Sequence, residues 1–382
     1  MIALGWWMAK IFACGDVVNY GNNTGLLCDA KLESIISGAD YSVCNFEAPI
    51  AGFGRPISKC GPHLQQDKKT LTGLKEQGFD LVLLANNHIM DYGRAGLKAT
   101  IDAANDVGLD TVGAGLDFQS AYKSLVRDIA GVRVGIINAC EAQFGVLDGS
   151  GTIGDAGYAW INHNKIDAEI FSLRKECDFV LLFAHAGLED VHIPQKEWRS
   201  RYKYFCDLGV DVVIGSHPHV PQGYEAYNKS LIFYSLGNFY FDYGYAKNYK
   251  NHSYALMLHL EKGRTISFEP VHHVTNSHKV FVCEDEVDIN GLCRSLVENY
   301  NEKLDEISLA AYRHINRQLI SSGSQLPFDG TLFGSLKELV ATILGRRKAS
   351  YKRLVQLHYV RNETYHYAAK HALDVLSKNY VA

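Results

Sequence analysis

Short runs of β-branched and aliphatic residues recur between Met8 and about Tyr243, and each stops abruptly in a cluster of polar side chains. The runs are KIFACGD (10–16), YSVCNFE (41–47), FDLVLLANNH (79–88), CDFVLLFAH (177–185), VDVVIGSHPH (210–219) and SLIFYSLGNF (230–239). Apolar along their whole length, they predict strands buried on both faces. Between them, RAGLKATIDAANDV (94–107) and QKEWRSRYKYFCDL (195–208) have helical character and can cover those faces. Buried strands alternating with helices predict an α/β fold of layered sheets, in which ligands gather at the carboxyl ends of strands.

The same pattern divides the chain. A further strand is expected over 131–139 (GVRVGIINA), and SYALMLHLEK followed by RTISFEPVHHV predicts a hairpin turning at Gly263. After about Thr275 the character changes. Charges at helical spacing over 284–320, and LKELVATILGRRK and YAAKHALDVLSKNY within 333–379, predict an α-helical region joined through the Ser/Gly-rich stretch 321–330. The expected division is therefore a site-bearing domain over 8–275 and a helical extension over 276–382. The basic cluster Arg346, Arg347 and Lys348 reads as a solvated helix end. VGAGL (112–116) lacks the third glycine of a dinucleotide fingerprint and reads as a turn.

The strand-end clusters hold the candidate chemistry: Asp16; Asn45 and Glu47; Asn86, Asn87 and His88; His185; His217 and His219; and Asn238. One histidine at a strand end is most simply a structural group hydrogen-bonded in place. Four of them on one rim, beside two acids, point to a site. Carboxylates and neutral imidazoles suit divalent transition metals, and none of these clusters ends in the cysteine that structural zinc would use. In GSHPH, Pro218 biases His217 towards extended backbone, which would offer His217 and His219 to neighbouring metal positions. Two metals about 3.5–4 Å apart can activate a water and counter charge on a phosphoryl group. Glu47 is the candidate bridging carboxylate. His88 follows Asn87 and is the candidate proton donor, and Asp91 is a second candidate catalytic residue. Asn45, Lys59 and Asn238 are the expected substrate contacts, although Lys59, in the loop PISKCGPHL, also reads as an ordinary surface lysine.

Composition narrows the partners. With 38 basic and 42 acidic residues in 382, a net charge of −4, the chain has no electrostatic footprint for nucleic acid, so a small-molecule or polymer-precursor substrate is expected. Nine scattered cysteines without a CxxC pair suggest neither a disulfide framework nor a zinc ribbon. Cys14 and Cys44 read as small core residues, and the cysteine usage favours a reducing compartment. The stretch MIALGWWMAKIFACGD has no cationic lead and no cleavage site, Met8 is an alternative start, and no run of about 18 apolar residues occurs. The expectation is a soluble cytoplasmic protein without a membrane span; its oligomeric state is left open.

GDVVNYG, CNFEAPI, LANNHIMDYG, FAHAG, GSHPHVPQG and YSLGNFYFD occur in the order seen in CapA-like proteins, and the region from Gly15 to Asp242 resembles that family. The family is associated with capsule and poly-γ-glutamate biosynthesis and belongs to the calcineurin-like metallophosphatase superfamily. The resemblance implies a four-layer α/β/β/α metallophosphatase-like sandwich and two divalent metal ions, Mn, Fe or Zn. It further implies Asp16, Glu47 and His219 around the first metal, Asn87, His185 and His217 around the second, and His88 as the catalytic histidine. One position departs from the superfamily pattern: where a histidine normally follows the first aspartate by two residues, this chain has Val18. Three functions follow as expectations. They are a metal-dependent hydrolase of phosphoesterase type, an enzyme of amide or peptide chemistry using His88 as acid–base, and a non-catalytic accessory of a biosynthetic complex.

Overall fold

The computed structural model describes residues 8–150, 155–243, 252–263, 266–276, 278–284, 287–323 and 349–378, with isolated positions between 332 and 340. Numbered along the chain, eight strands form the first sheet: β1 (Met8–Val18), β2 (Tyr41–Phe46), β3 (Leu81–Leu83), β4 (Asp110–Val112), β14 (Asn238–Phe241), β15 (His252–Glu261), β16 (Ser267–Asn276) and β17 (Lys279–Val282). Their order is β17-β16-β15-β1-β2-β3-β4, with β14 also paired to β1. The second sheet runs β12 (Tyr224–Tyr227), β13 (Ser230–Phe233), β11 (Val212–Ser216), β10 (Phe179–His185), β7 (Val132–Cys140), β6 (Leu125–Ile129). A small third sheet joins β5 (Ala114–Gly115), β9 (Gly157–Ala159) and β8 (Val146–Leu147).

The expected four layers are present. Ala9, Ile11, Ala13, Val43, Leu256 and Leu258 of the first sheet meet Val134, Ile136, Leu181, Phe183, Val212 and Ile214 of the second in one buried core. On the far side of the first sheet, Phe12, Cys14 and Cys44 pack with residues of the helices Ala30–Ser37, Lys69–Glu76 and Gly93–Asp106. On the far side of the second, Ile137, Val180, Leu182 and Val213 pack against Asn164–Glu176 and Lys196–Leu208. Successive residues of a strand face opposite sides, and here both sides are covered, so the runs are uniformly apolar. Local signals set the helix ends. Asp29 accepts from Leu32 N at 2.9 Å to cap the first helix, and Gly209 closes Lys196–Leu208 in the left-handed region at φ 115°.

Three expectations need correcting. The run 230–239 is two strands, β13 paired to β11 in the second sheet and β14 paired to β1 in the first. The chain crosses between the sheets over 234–237, and backbone carbonyls there press on both neighbours. A Cβ on Gly15 would lie 1.8 Å from Gly237 O, and one on Gly215 would lie 1.9 Å from Tyr234 O. Only glycine admits such an approach, and the two glycines immediately precede the Asp16 and Ser216–His217 ends of their strands. The run 79–88 keeps regular pairing only over β3, and VGAGL contains the short strand β5.

Beyond Thr275 the first sheet continues into β17, followed by helices Ile289–Ser295, Tyr300–Gly323, Ala349–Arg361 and Glu363–Lys378. These helices dock on the sandwich: Ile315 and Ala368 bury themselves with Leu188. Glu363 accepts from Ala142 N at 2.7 Å, Trp160 Nε1 at 2.9 Å and Asn162 Nδ2 at 2.8 Å. No helix among the described residues is long and apolar enough to cross a membrane, and all nine cysteines are free thiols. Met1–Trp7, the greater part of the 321–330 link and the Arg346–Lys348 cluster lie outside the described residues.

Candidate metal centre

The site lies where both sheets present strand ends on one rim. Asp16, near the end of β1, stands in register with Asn45 on one neighbour and Asn238 on the other, after a register shift that breaks regular pairing. His185 ends β10 level with Cys140 and Ser216 on its neighbours. His217 and His219 follow β11 with φ of 94° and 60°. The extended backbone expected for His217 is thus replaced by a left-handed one, an uncommon state for a residue with a Cβ. His217 N donates to Asp16 Oδ2 at 3.2 Å, so the turn is tied directly to the acid it faces.

The six expected ligands converge. His185 Nε2 lies 3.1 Å from Asn87 Oδ1, 3.1 Å from His217 Nδ1 and 3.5 Å from Glu47 Oε1. His219 Nδ1 is 3.4 Å from Asp16 Oδ2, and its Nε2 is 3.9 Å from Glu47 Oε1. Among these six residues, two groupings suitable for a cation result, Asp16 with Glu47 and His219, and Glu47 with His185 and His217. Glu47 belongs to both.

Glu47 also provides the test of fit. It is 0% exposed, and neither carboxylate oxygen has a hydrogen-bond partner. A buried carboxylate without donors is strongly unfavourable unless a cation completes it. Carboxylates, imidazoles and an amide oxygen directed at one point suit a divalent metal. Val18, where the superfamily pattern has a histidine, is fully buried among Ala48, Leu64, Phe241 and Tyr243, so an apolar contact stands there.

Charges within the cluster are mutually arranged. Burial opposes the charged form of Asp16, yet the hydrogen bond with His219 and the nearby His185 hold its carboxyl below the usual range. Burial likewise opposes protonation of His219, but Glu47 and Asp16 draw it well above the ordinary imidazole value. His217 goes the other way: burial, reinforced by His185 and His219, keeps it neutral. A neutral ring is the form that ligates metal.

The expected proton-transfer and substrate groups divide in two. His88 Nδ1 donates to Asp91 Oδ2 at 2.7 Å, and Lys59 Nζ makes a short ion pair with Asp91 Oδ1. Lys59 is 8% exposed, so the reading as an ordinary surface lysine is excluded. Burial depresses its ammonium, with Asp91 opposing, while His88 and Lys59 hold the buried Asp91 carboxyl low. Asn45 is 2% exposed and its Nδ2 donates to Asp16 Oδ1 at 2.7 Å, so it braces a candidate ligand in place of the expected substrate contact. Asn238 Oδ1 lies 2.9 Å from His219 Nδ1 and lines the cavity.

That cavity holds about 1090 Å³ and reaches from Asn87, His88 and His219 to His314, His358 and Tyr365 on the C-terminal helices. Those helices are one wall of the site. Several of its residues escaped the sequence reading. Glu141, directly after β7, lies 3.7 Å from His217 Nε2 and accepts from Gln143 Nε2 at 2.8 Å and from Thr364 Oγ1. Burial pushes its carboxyl up to about 8. The polar end of the 131–139 run would have revealed it, by the same rule applied to the other strands. Thr364, on a helix 223 residues away, carried no comparable signal.

The family described as bacterial capsule synthesis protein PGA_cap matches residues 10–243. The PGA biosynthesis protein CapA of Bacillus subtilis (strain 168) is 32% identical over 286 residues, 71% of this chain and 71% of the relative. The capsule biosynthesis protein CapA of Bacillus anthracis is 32% identical over 219 residues, 56% of this chain and 53% of the relative, so the chain spans about half of that protein's length. Among solved structures, the calcineurin-like phosphoesterase YfkN from Bacillus subtilis aligns with a TM-score of 0.41 at 14% identity, covering 78% of this chain and 98% of that one.

Proposed function

Because the chain belongs to the bacterial capsule synthesis family PGA_cap, we propose that it is a divalent-metal-dependent hydrolase of phosphoesterase type, acting in the production of a capsule or PGA-type polymer. The observation that carries the reading is the fully buried Glu47 carboxylate, unpartnered at both oxygens and faced by His185 and His219. Asp16, Glu47 and His219 would hold one ion, and Asn87, His185, His217 and Glu47 a second. Bound Mn, Fe or Zn lowers the pKa of a water and counters charge on a phosphoryl oxygen.

The remaining steps belong to the protein's own groups. Asp91 engages His88 Nδ1, which fixes the ring and leaves Nε2 of a cavity-lining histidine to protonate the departing oxygen. Lys59, 3.3 Å from His88 Nδ1 and also lining the cavity, places a cation beside the substrate anion. His314, His358 and Tyr365 of the C-terminal helices wall the far side of the cavity.

The test is to purify the protein without chelators, determine its metals, and assay phosphomonoesters and phosphodiesters with Mn(II), Zn(II) and Fe(II). Bound metal and turnover that His217→Ala abolishes are expected. No metal and no turnover in the wild type, or turnover undiminished in the variant, overturns the proposal.

A second reading is favoured by one observation: His88, Asp91 and Lys59 form a complete acid–base cluster of their own. Such a cluster can move protons in amide or peptide chemistry on polymer precursors. Activity on γ-glutamyl material that survives chelator, with none on phosphoesters, is its signature.

A further inference from the structure

Glu189 was not among the expected site residues. It follows β10 by four positions, is exposed, and lines the cavity. One of its carboxylate oxygens and one ring nitrogen each of His217 and His219 lie within 4.8 Å of one another.

The loop that carries it is held at both sides. Ala186 N donates to Ser216 O at 3.1 Å and Asp190 N donates to Pro218 O at 2.9 Å, so residues 186–190 are laced along the His217–His219 turn. Gly187 adopts φ 131°, and a Cβ there would stand 3.1 Å from Pro218 Cγ, which shows how closely the two loops fit. Leu188 is buried against Ile315 and Ala368 of the C-terminal helices. Glu189 therefore sits over the two histidines because its neighbours on either side are anchored.

We propose that Glu189 is a further metal-binding residue, a carboxylate that joins the His219 ion of the centre from the cavity side. Such a carboxylate beside imidazole suits Zn(II), Fe(II) or Mn(II). It supplies an oxygen on the His219 side of the centre, where Val18 offers none. The inference rests on the proposal that this centre holds metal, and the experiment separates the two.

The full chain, stripped with chelator and dialysed, is titrated with Mn(II) alone by calorimetry, as wild type, Glu189→Gln and Asp190→Asn. Asp190 is an adjacent acid on the same cavity wall but lies outside the cluster, and it controls for the general electrostatic field. Glu189→Gln is expected to lose one equivalent of Mn(II) or to weaken its binding by about tenfold or more, while Asp190→Asn stays within about twofold. Because Glu189 is exposed, the chelated variant should melt with the wild type. Wild type that binds Mn(II) together with an indifferent Glu189→Gln overturns this inference alone, as do equal losses in both variants. Wild type that binds no Mn(II) overturns the metal centre and this inference together.

Discussion

Replacing Glu47 by glutamine should move stability in opposite directions with and without metal. In the metal-free protein both oxygens of a fully buried carboxylate lack donors. Leaving such a group unsatisfied costs about 1–3 kcal/mol, and more when it is charged. Glutamine has nearly the same shape and no charge, so it avoids the cost of burying a carboxylate, and its Oε1 still faces His185 Nε2 and His219 Nε2, which stand 3.5 Å and 3.9 Å from the present oxygen. Metal-free Glu47→Gln is therefore expected to be more stable by about 1–3 kcal/mol, a rise of several degrees in Tm. Metal reverses the order. A ligand present at about 100 times its Kd stabilises the native state by about 2.7 kcal/mol, and the variant, short of the carboxylate common to both groupings, should gain little of it. Thermal melts in excess chelator and in saturating Mn(II) read both signs. A variant that is less stable than wild type in chelator, or that keeps the full rise with Mn(II), would refute the reasoning.

Three further outcomes are expected. His273 is 1% exposed with neither ring nitrogen bonded, and burial, aided by His272 and His252, depresses it to about 3. Since the unfolded chain takes up this proton near pH 6.5 and the folded one near 3, the group removes stability as pH falls through that window, about 2 kcal/mol between pH 7 and pH 5. Urea unfolding at the two pH values should show that much less pH dependence in His273→Leu, and an unchanged slope counts against it. Thr364→Val strips a donor from Glu141 and an acceptor from Trp198 Nε1, which now bonds at 2.9 Å. It should lower stability by about 1–3 kcal/mol for each orphaned group, while Thr364→Ser should not; equal unfolding midpoints for all three proteins would contradict the contact. Asp91→Asn frees the His88 ring and should reduce kcat by about 10²–10⁴-fold on whichever phosphoester is turned over, with Mn(II) binding retained; lost Mn(II) binding would instead place Asp91 in the metal centre.

Much of the architecture is legible in the sequence because its signals are local. Uninterrupted apolar runs mark strands covered on both faces, and the polar clusters at their ends already name Asp16, Glu47, Asn87, His185, His217 and His219. The alternation of buried strands with helices implies layers. Folding brought those six side chains together, since parallel strands in register carry their carboxyl ends to one rim. What the sequence could not announce lies in contacts between distant segments. The run 230–239 is continuous in pattern, yet the chain leaves one sheet for the other within it, where glycines at 15 and 215 admit the crossing backbone. Lys59 has the sequence context of a surface loop and is nevertheless buried against Asp91. Glu189 and Thr364 reach the site through a loop and a helix whose positions are set by packing on the sandwich. Periodicity reports which face of an element is covered, but the partner that covers it is chosen by the complementarity of whole surfaces, and that is decided only when the chain is folded.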